Sequence, residues 1–245
     1  GFKLNDYNDH LVSILNRAGY HTVLCGIQHE AGRYQEHEFG AKTIGYKQNI
    51  TQSNEHYEEK DLVHWDLANS EAIASYLQSH PMDKPFFLSF GMFSTHREYP
   101  DPTADILNSQ VEIPAWLEQS DEIRRDFAGH LTSLTYYDRC FENVINALKN
   151  SGFYDNTLIV VTSDHGIAFP FAKCTLKDVG TKVIFMIKHP NQMSGRRYKH
   201  LVSHVDFVPT LLSMLNIESP DGISGLDLSD SILNTDVPVR EYVFS

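Results

Sequence analysis

NTLIVVTSDHG, residues 156–166, is the stretch from which the fold is read. Leu158, Ile159, Val160, Val161 and Thr162 form a run that is mostly β-branched, too short for an ordinary helix and suited to a strand in a sheet core. The run breaks at Ser163, Asp164, His165 and Gly166, a polar tip opening into a loop. Just upstream, Ile123, Phe127, Leu131, Leu134, Phe141, Val144, Ile145 and Leu148 keep one apolar stripe at helical spacing. Ser120 or Asp121 can cap that long helix at its start, and Gly152 lies just past its end. Downstream, TKVIFMIKHP at 181–190 predicts a second strand.

The same alternation extends toward both ends. Leu11, Ile14, Leu15 and Ala18 predict a short helix with Asp9 as its N-cap and Gly19 as its stop. HTVLCG at 21–26 then reads as a buried strand, and residues 30–60 as an irregular excursion. Asn69 or Ser70 can cap a helix running through Leu77, with Pro81 beyond it. PFFLSFGMF at 85–93 predicts a strand covered on both faces, and Pro100 to Ser120 a loop over the surface. Val205 to Leu215 forms a last amphipathic helix, with Pro209 tolerated near its first turn. Strands alternating with helices specify an α/β protein, a mainly parallel doubly wound sheet flanked by helices, read as a single domain over 1–245.

Composition excludes several functions. The 245 residues carry 20 Lys plus Arg against 32 Asp plus Glu, a formal charge of −12. Such a chain lacks the concentrated cationic surface that displaces phosphate counterions, so nucleic acid is not an expected partner. No apolar run approaches the ~20 residues of a membrane span. Cys25, Cys140 and Cys174 form no C-x-x-C pair and suggest neither a disulfide framework nor a zinc ribbon.

In doubly wound sheets, ligands collect beyond the carboxyl ends of the strands. That rule selects Gly26 to His29, Ser94 to His96, Ser163 to His165, and the loop onward to Lys173. Asp164 and His165 set a carboxylate beside an imidazole, a pair that can hold a divalent cation; Asp164 can equally cap the next turn. Lys173 can turn its ammonium toward the strand ends to balance an anion. His29 and His96 can converge there and donate to an oxyanion or leaving group. Arg97 can bind a carboxylate or sulfate bidentately, or pair with Glu98. Arg196, Arg197, Lys199 and His200 form a basic run read as a solvated turn, and Asn49, Ile50 and Thr51 match a glycosylation acceptor pattern.

Together these segments resemble the sulfatase family of the alkaline phosphatase superfamily over more than 200 residues. RAGYHTVLCGIQH is similar to the family's A-G-Y-x-T-x-x-x-G-K-x-H segment, and PFFLSFGMFSTH to the strand that delivers a sulfate-contacting His. NSGFYDNTLIVVTSDHG with AKCTLKDVGTKVIFMI is similar to the metal-binding strand, the sulfate-contacting Lys and the strand beyond it. VSHVDFVPTLLSMLNIESPDGISGLDL is similar to a helix and G-x-S-L turn late in the catalytic domain. The Phe-Pro spacing before Lys173 and the His96-Arg97 pair look closest to the heparan N-sulfatase branch.

The resemblance implies a sulfuric ester or sulfamate hydrolase acting on a sulfated sugar. It implies Asp164 and His165 as metal ligands, with Ca²⁺ expected and Mn²⁺ or Zn²⁺ as alternatives. It implies Lys173 and His96 on the sulfate, with His29 near the nucleophile. Two departures stand out. Ile27 replaces the Lys of G-K-x-H, and no Cys or Ser lies in the C/S-x-P-x-R context that yields the family's formylglycine nucleophile. The nucleophile and the amino-terminal acidic ligands are therefore expected from a missing upstream segment, which makes this chain an internal piece, incomplete at both ends and inactive alone. The Tyr242 to Ser245 end resembles the join to the family's carboxy-terminal subdomain. Alternatives are a phosphonate or phosphodiester hydrolase of the same superfamily, or a non-catalytic sulfated-glycan binder. The family is periplasmic, secreted or lysosomal.

Overall fold

The computed structural model describes residues 4–32, 37–81, 83–108, 111–190 and 195–244. Gly1 and Ser245, the ends considered above, lie outside them. The chain divides into two compact units, Gly1–Asn156 with Thr162–Phe185, and Thr157–Val161 with Met186–Ser245. In chain order the helices are α1 (Leu11–Arg17), α2 (His37–Ile44), α3 (Leu62–Ser79), α4 (Ala104–Asn108), α5 (Asp121–Asn150), α6 (Asp178–Thr181) and α7 (Phe207–Met214). The strands are β1 (His21–Gly26), β2 (Gln48–Asn49), β3 (Phe86–Gly91), β4 (Ile159–Thr162) and β5 (Phe185–Lys188).

In the first unit, β1 pairs in parallel with β2 on one side and β3 on the other, giving the order β2-β1-β3. The β1–β3 register runs from His21 opposite Phe86 to Gly26 opposite Gly91. Successive side chains of a strand point to opposite faces, and β3 shows both faces covered by helices. Phe86 meets Tyr76 of α3 and Phe153, whereas Phe87 packs against Val12 of α1, Ala31 and Ile44 of α2. The parallel, doubly wound arrangement read from the sequence is present. β4 and β5 are hydrogen-bonded neighbours in a two-stranded sheet.

Four local readings are corrected. His10 rather than Asp9 caps α1, its ring nitrogen accepting from the Val12 amide at 3.2 Å. The 30–60 excursion contains α2 and β2; the Gln-Asn pair of β2 has little strand propensity and is ordered by pairing with Val23 and Leu24. Most of Pro100 to Ser120 is irregular as expected, with α4 as one short turn of helix. α3 starts at Leu62, not at Asn69 or Ser70. Those two are fully buried in mid-helix, where Asn69 accepts from the Gln52 amide at 2.9 Å and Ser70 accepts from Asn143 of α5 at 2.9 Å. Residues that look like caps are here the polar contacts by which α3 holds a loop and a neighbouring helix. α5 starts as read, with the Ser120 hydroxyl accepting from the Ile123 amide. The strand of 85–93 is covered on both faces as expected. β3 is half-buried along its length, because it forms an edge of the three-stranded sheet.

In the second unit, Asp206 is 2% exposed and ties three segments together. It accepts from the amides of Ser203 and Leu226 at 2.9 Å each and pairs with Arg240. α7 follows directly and buries Pro209, Thr210, Leu211 and Leu212. Arg196 donates to the Ser231 carbonyl at 2.9 Å, and His200 contacts the Asp236 carbonyl at 2.8 Å. Half of the basic run is thus engaged within its own unit.

Candidate active site

The carboxyl ends of β1 and β3 meet at two glycines. The Ile27 amide donates to the Gly91 carbonyl at 2.7 Å. A Cβ on Gly26, whose φ is +84°, would lie 2.1 Å from that same oxygen. Only glycine permits this approach, and it releases both chains at one corner of the sheet, one toward His29 and the other toward His96.

The loop after β3 is then fixed from below by a carboxylate. Asp66 of α3 is fully buried and accepts from the Phe93 amide at 2.8 Å, the Ser94 amide at 2.7 Å and the Ser94 hydroxyl at 2.7 Å. Burial raises this carboxyl to about 6, opposed by those hydrogen bonds. The His96 amide closes the turn on the Phe93 carbonyl at 2.7 Å, leaving the imidazole exposed.

Asp164 and His165 stand just past β4. His165 Nδ1 lies 2.7 Å from the Gly166 carbonyl; in the tautomer that carries its proton there, Nε2 keeps a lone pair. Nε2 lies 3.3 Å from Asp164 Oδ2. A second nitrogen held by a carbonyl is the usual support of a metal-bound imidazole. The donors therefore fit as two members of a divalent-metal shell. They do not complete one, since among the described residues no three His, Cys, Asp or Glu side chains are grouped to hold a metal.

His29 reports how these pieces meet. Partial burial lowers its pKa, the Asp164 carboxylate opposes that, and His96 and Lys173 lower it further. The first unit thus brings His96, Asp164 and Lys173 within electrostatic range of His29, and His165 lies against Asp164. Arg97 turns away from this group. It does not pair with Glu98; it grips the carboxylate of Asp126 on α5 through both terminal nitrogens.

Cys25 and Cys140 are buried and burial pushes both thiols up to about 12, while exposed Cys174 follows Lys173 in the loop. Asn49 of the acceptor pattern sits in β2 and donates to Glu38 at 3.2 Å. Sequence reasoning missed Asp66 and Asp126. The available signal for Asp66 was a carboxylate on the apolar side of a helix; for Asp126 there was none.

Comparison with known proteins supplies the family. The Sulfatase family model matches residues 2–217. An ulvan-active sulfatase from Formosa agariphila is 30% identical over 181 residues, covering 66% of this chain and 35% of that protein. N-sulphoglucosamine sulphohydrolase from Homo sapiens is 25% identical over 174 residues, covering 60% of this chain and 34% of its own length. The chain spans about a third of the length of these curated relatives. Among solved structures, a protein in complex with its substrate D-glucosamine-2-N,6-O-disulfate superposes with a TM-score of 0.67 at 17% identity, over 91% of this chain and 64% of that one. The phosphonate monoester hydrolase of Silicibacter pomeroyi shares the fold at a TM-score of 0.69 and 16% identity, over 95% of this chain and 62% of that one. A family match across most of the chain establishes that the chain belongs to the sulfatase family.

Proposed function

We propose that the protein hydrolyses a sulfate ester or sulfamate on a sugar, and that residues 1–245 form the central and carboxy-terminal part of its catalytic domain. The observation that carries this reading is the convergence of His29, His96, Asp164 and Lys173 on one corner, in a chain matched to the sulfatase model. Lys173 neutralises the sulfate, and His96, whose Nδ1 is held by the Arg97 carbonyl, orients it from Nε2 as the imidazolium. His29, whose lowered pKa keeps a neutral imidazole available, moves a proton to or from the leaving group. Asp164 and His165 hold two positions of a divalent metal, Ca²⁺ by the oxygen donor, which when bound polarises the sulfate oxygens. A formylglycine nucleophile and the remaining metal ligands come from sequence outside this chain, since none of its cysteines has the required context. A sulfated sugar as substrate is supported by the ulvan-active and N-sulphoglucosamine-active relatives.

Two observations support other readings. The nitrogen donor of His165 suits Zn²⁺ or Mn²⁺ and a phosphonate or phosphodiester substrate. Ile27 at the family's Lys position suits a sulfated-glycan binder without turnover. The test has two arms. Inorganic sulfate titrated into the 245-residue chain should shift the NMR signals of Lys173 and His96, and Lys173→Ala should abolish that response. The chain with Ca²⁺ or Mn²⁺ should not turn over a chromogenic aryl sulfate; turnover that survives Lys173→Ala and repurification would overturn the reading. Response to a phosphonate in preference to sulfate would favour the second reading.

A further inference from the structure

We infer that Arg97 is a positioning residue, bracing the loop that carries His96 against the loop that carries Lys173. This rests on the reading of both residues as sulfate contacts. Nε of Arg97 donates to the Ala168 carbonyl at 2.8 Å, Nη1 donates to Asp126 Oδ1 at 3.1 Å, and Nη2 pairs with Asp126 Oδ2. The guanidinium carbon lies 4.8 Å from the Tyr99 ring centre and 4.9 Å from that of Phe169. Three of its nitrogens are hydrogen-bonded within the protein and two aromatic rings pack against it, so the cation read from the sequence as a substrate contact is engaged by internal partners.

The partners lie on the elements that have to be held in register. Arg97 directly follows His96, whose ring Nδ1 contacts the Arg97 carbonyl. Ala168 and Phe169 belong to the loop running from Asp164 to Lys173. From there the Ala172 amide donates to the Phe169 carbonyl at 3.1 Å, and the Lys173 amide donates to the Ile167 carbonyl at 3.1 Å. A displacement of Ala168 or Phe169 is thereby passed to Lys173 within one turn. Behind Phe169 stand Phe127 and His130 of α5, at ring distances of 5.6 and 5.9 Å, with Ile113 and Leu117 completing the cluster. Asp126 thus fixes the brace to the longest helix of the unit. The arrangement needs a planar fork that binds a carboxylate with two nitrogens while a third reaches a carbonyl. Lysine, a point charge on a flexible stem, cannot reproduce it.

The experiment uses the 245-residue chain with histidine and lysine side chains isotopically labelled. Arg97→Ala and Arg97→Lys should each shift the His96 and Lys173 resonances together, and Asp126→Asn should produce the same pattern more weakly. Perturbation confined to residues next to position 97, with Lys173 unmoved, would overturn the brace. Sulfate titration supplies the functional arm. Arg97→Ala should weaken sulfate binding about tenfold, the scale expected when a binding group is misplaced rather than removed. In a Lys173→Ala background the same change should add nothing, because Arg97 acts through Lys173. Additive losses would show that Arg97 contacts the anion itself and would overturn the inference. If sulfate produces no response in the unmodified chain, the sulfate reading fails and the resonance pattern alone decides the brace.

Discussion

Two loops bring candidate chemistry to the same corner and are built by different physics. The loop after β3 hangs on side chains: the buried Asp66 carboxylate takes three donors from Phe93 and Ser94, and Arg97 grips Asp126. The loop after β4 hangs on its own backbone. Gly166 donates to the Gly180 carbonyl at 2.9 Å, Lys173 to Ile167 at 3.1 Å and Thr175 to Ala172 at 3.1 Å. A loop held by one carboxylate concentrates its stability in a single residue. A loop held by many amides distributes it and becomes sensitive to sterics instead. The loop after β3 should therefore fail by deletion of a charge, and the loop after β4 by addition of a methyl group.

The largest effect is expected at Asp66. Asp66→Ala leaves two amides and a hydroxyl without their acceptor in a fully buried site, a loss of about 3–5 kcal/mol. Urea unfolding at neutral pH measures it, and a loss under about 1 kcal/mol would show that the loop has other support. The same carboxyl gives stability a pH dependence of defined sign. Burial raises it from 3.8 to about 6, so its protonated form is the one favoured on folding. This pH-dependent part of its contribution is fully present below the unfolded value and is lost as pH rises through about 6, while the hydrogen bonds it accepts from Phe93 and Ser94 persist at neutral pH. Asp66→Asn should remove that slope, and an unchanged slope would place the titration elsewhere.

A smaller effect is expected at Gly166. A Cβ there would lie 1.9 Å from the Val179 carbonyl oxygen, which is backbone and cannot rotate away. Gly166→Ala should destabilise by about 1–3 kcal/mol. It should also shift the Lys173 amide while leaving those of Phe93 and Ser94 in place. Movement of all three would mean that the loops are one structural piece.

This contrast also explains what was legible in the sequence. The strand ends carrying His29, His96 and Asp164 were readable because β-branched and aromatic runs stop abruptly at polar residues and glycines. The long helix was readable from its stripe, its Ser120 cap and Gly152, whose φ is +75°. Those signals are local. The residues that hold the corner together are not, because Asp66 meets Ser94 across 28 residues and Arg97 meets Asp126 across 29. In sequence Asn69 and Ser70 are indistinguishable from caps, and only the packing of α3 makes them buried contacts. Arg97 was legible as a bidentate cation; which carboxylate it would take was not.

The smallest effect, and the most direct reading of the comparison, is expected at His29, on which charges from both loops act. Partial burial lowers its pKa first, His96 and Lys173 lower it further, and Asp164 raises it. An imidazolium is disfavoured by neighbouring positive charge and favoured by negative charge, so the signs of three substitutions are fixed in advance. His96→Ala should raise the His29 pKa, Lys173→Ala should raise it by less, and Asp164→Asn should lower it. Each shift should be small, since these side chains stand at a solvated corner where charge is screened. NMR titration of the His29 ring proton follows all three. A His29 value that ignores Lys173 but responds to His96 would leave the loop after β3 at the corner and remove the loop after β4, breaking the convergence on which the sulfate reading depends.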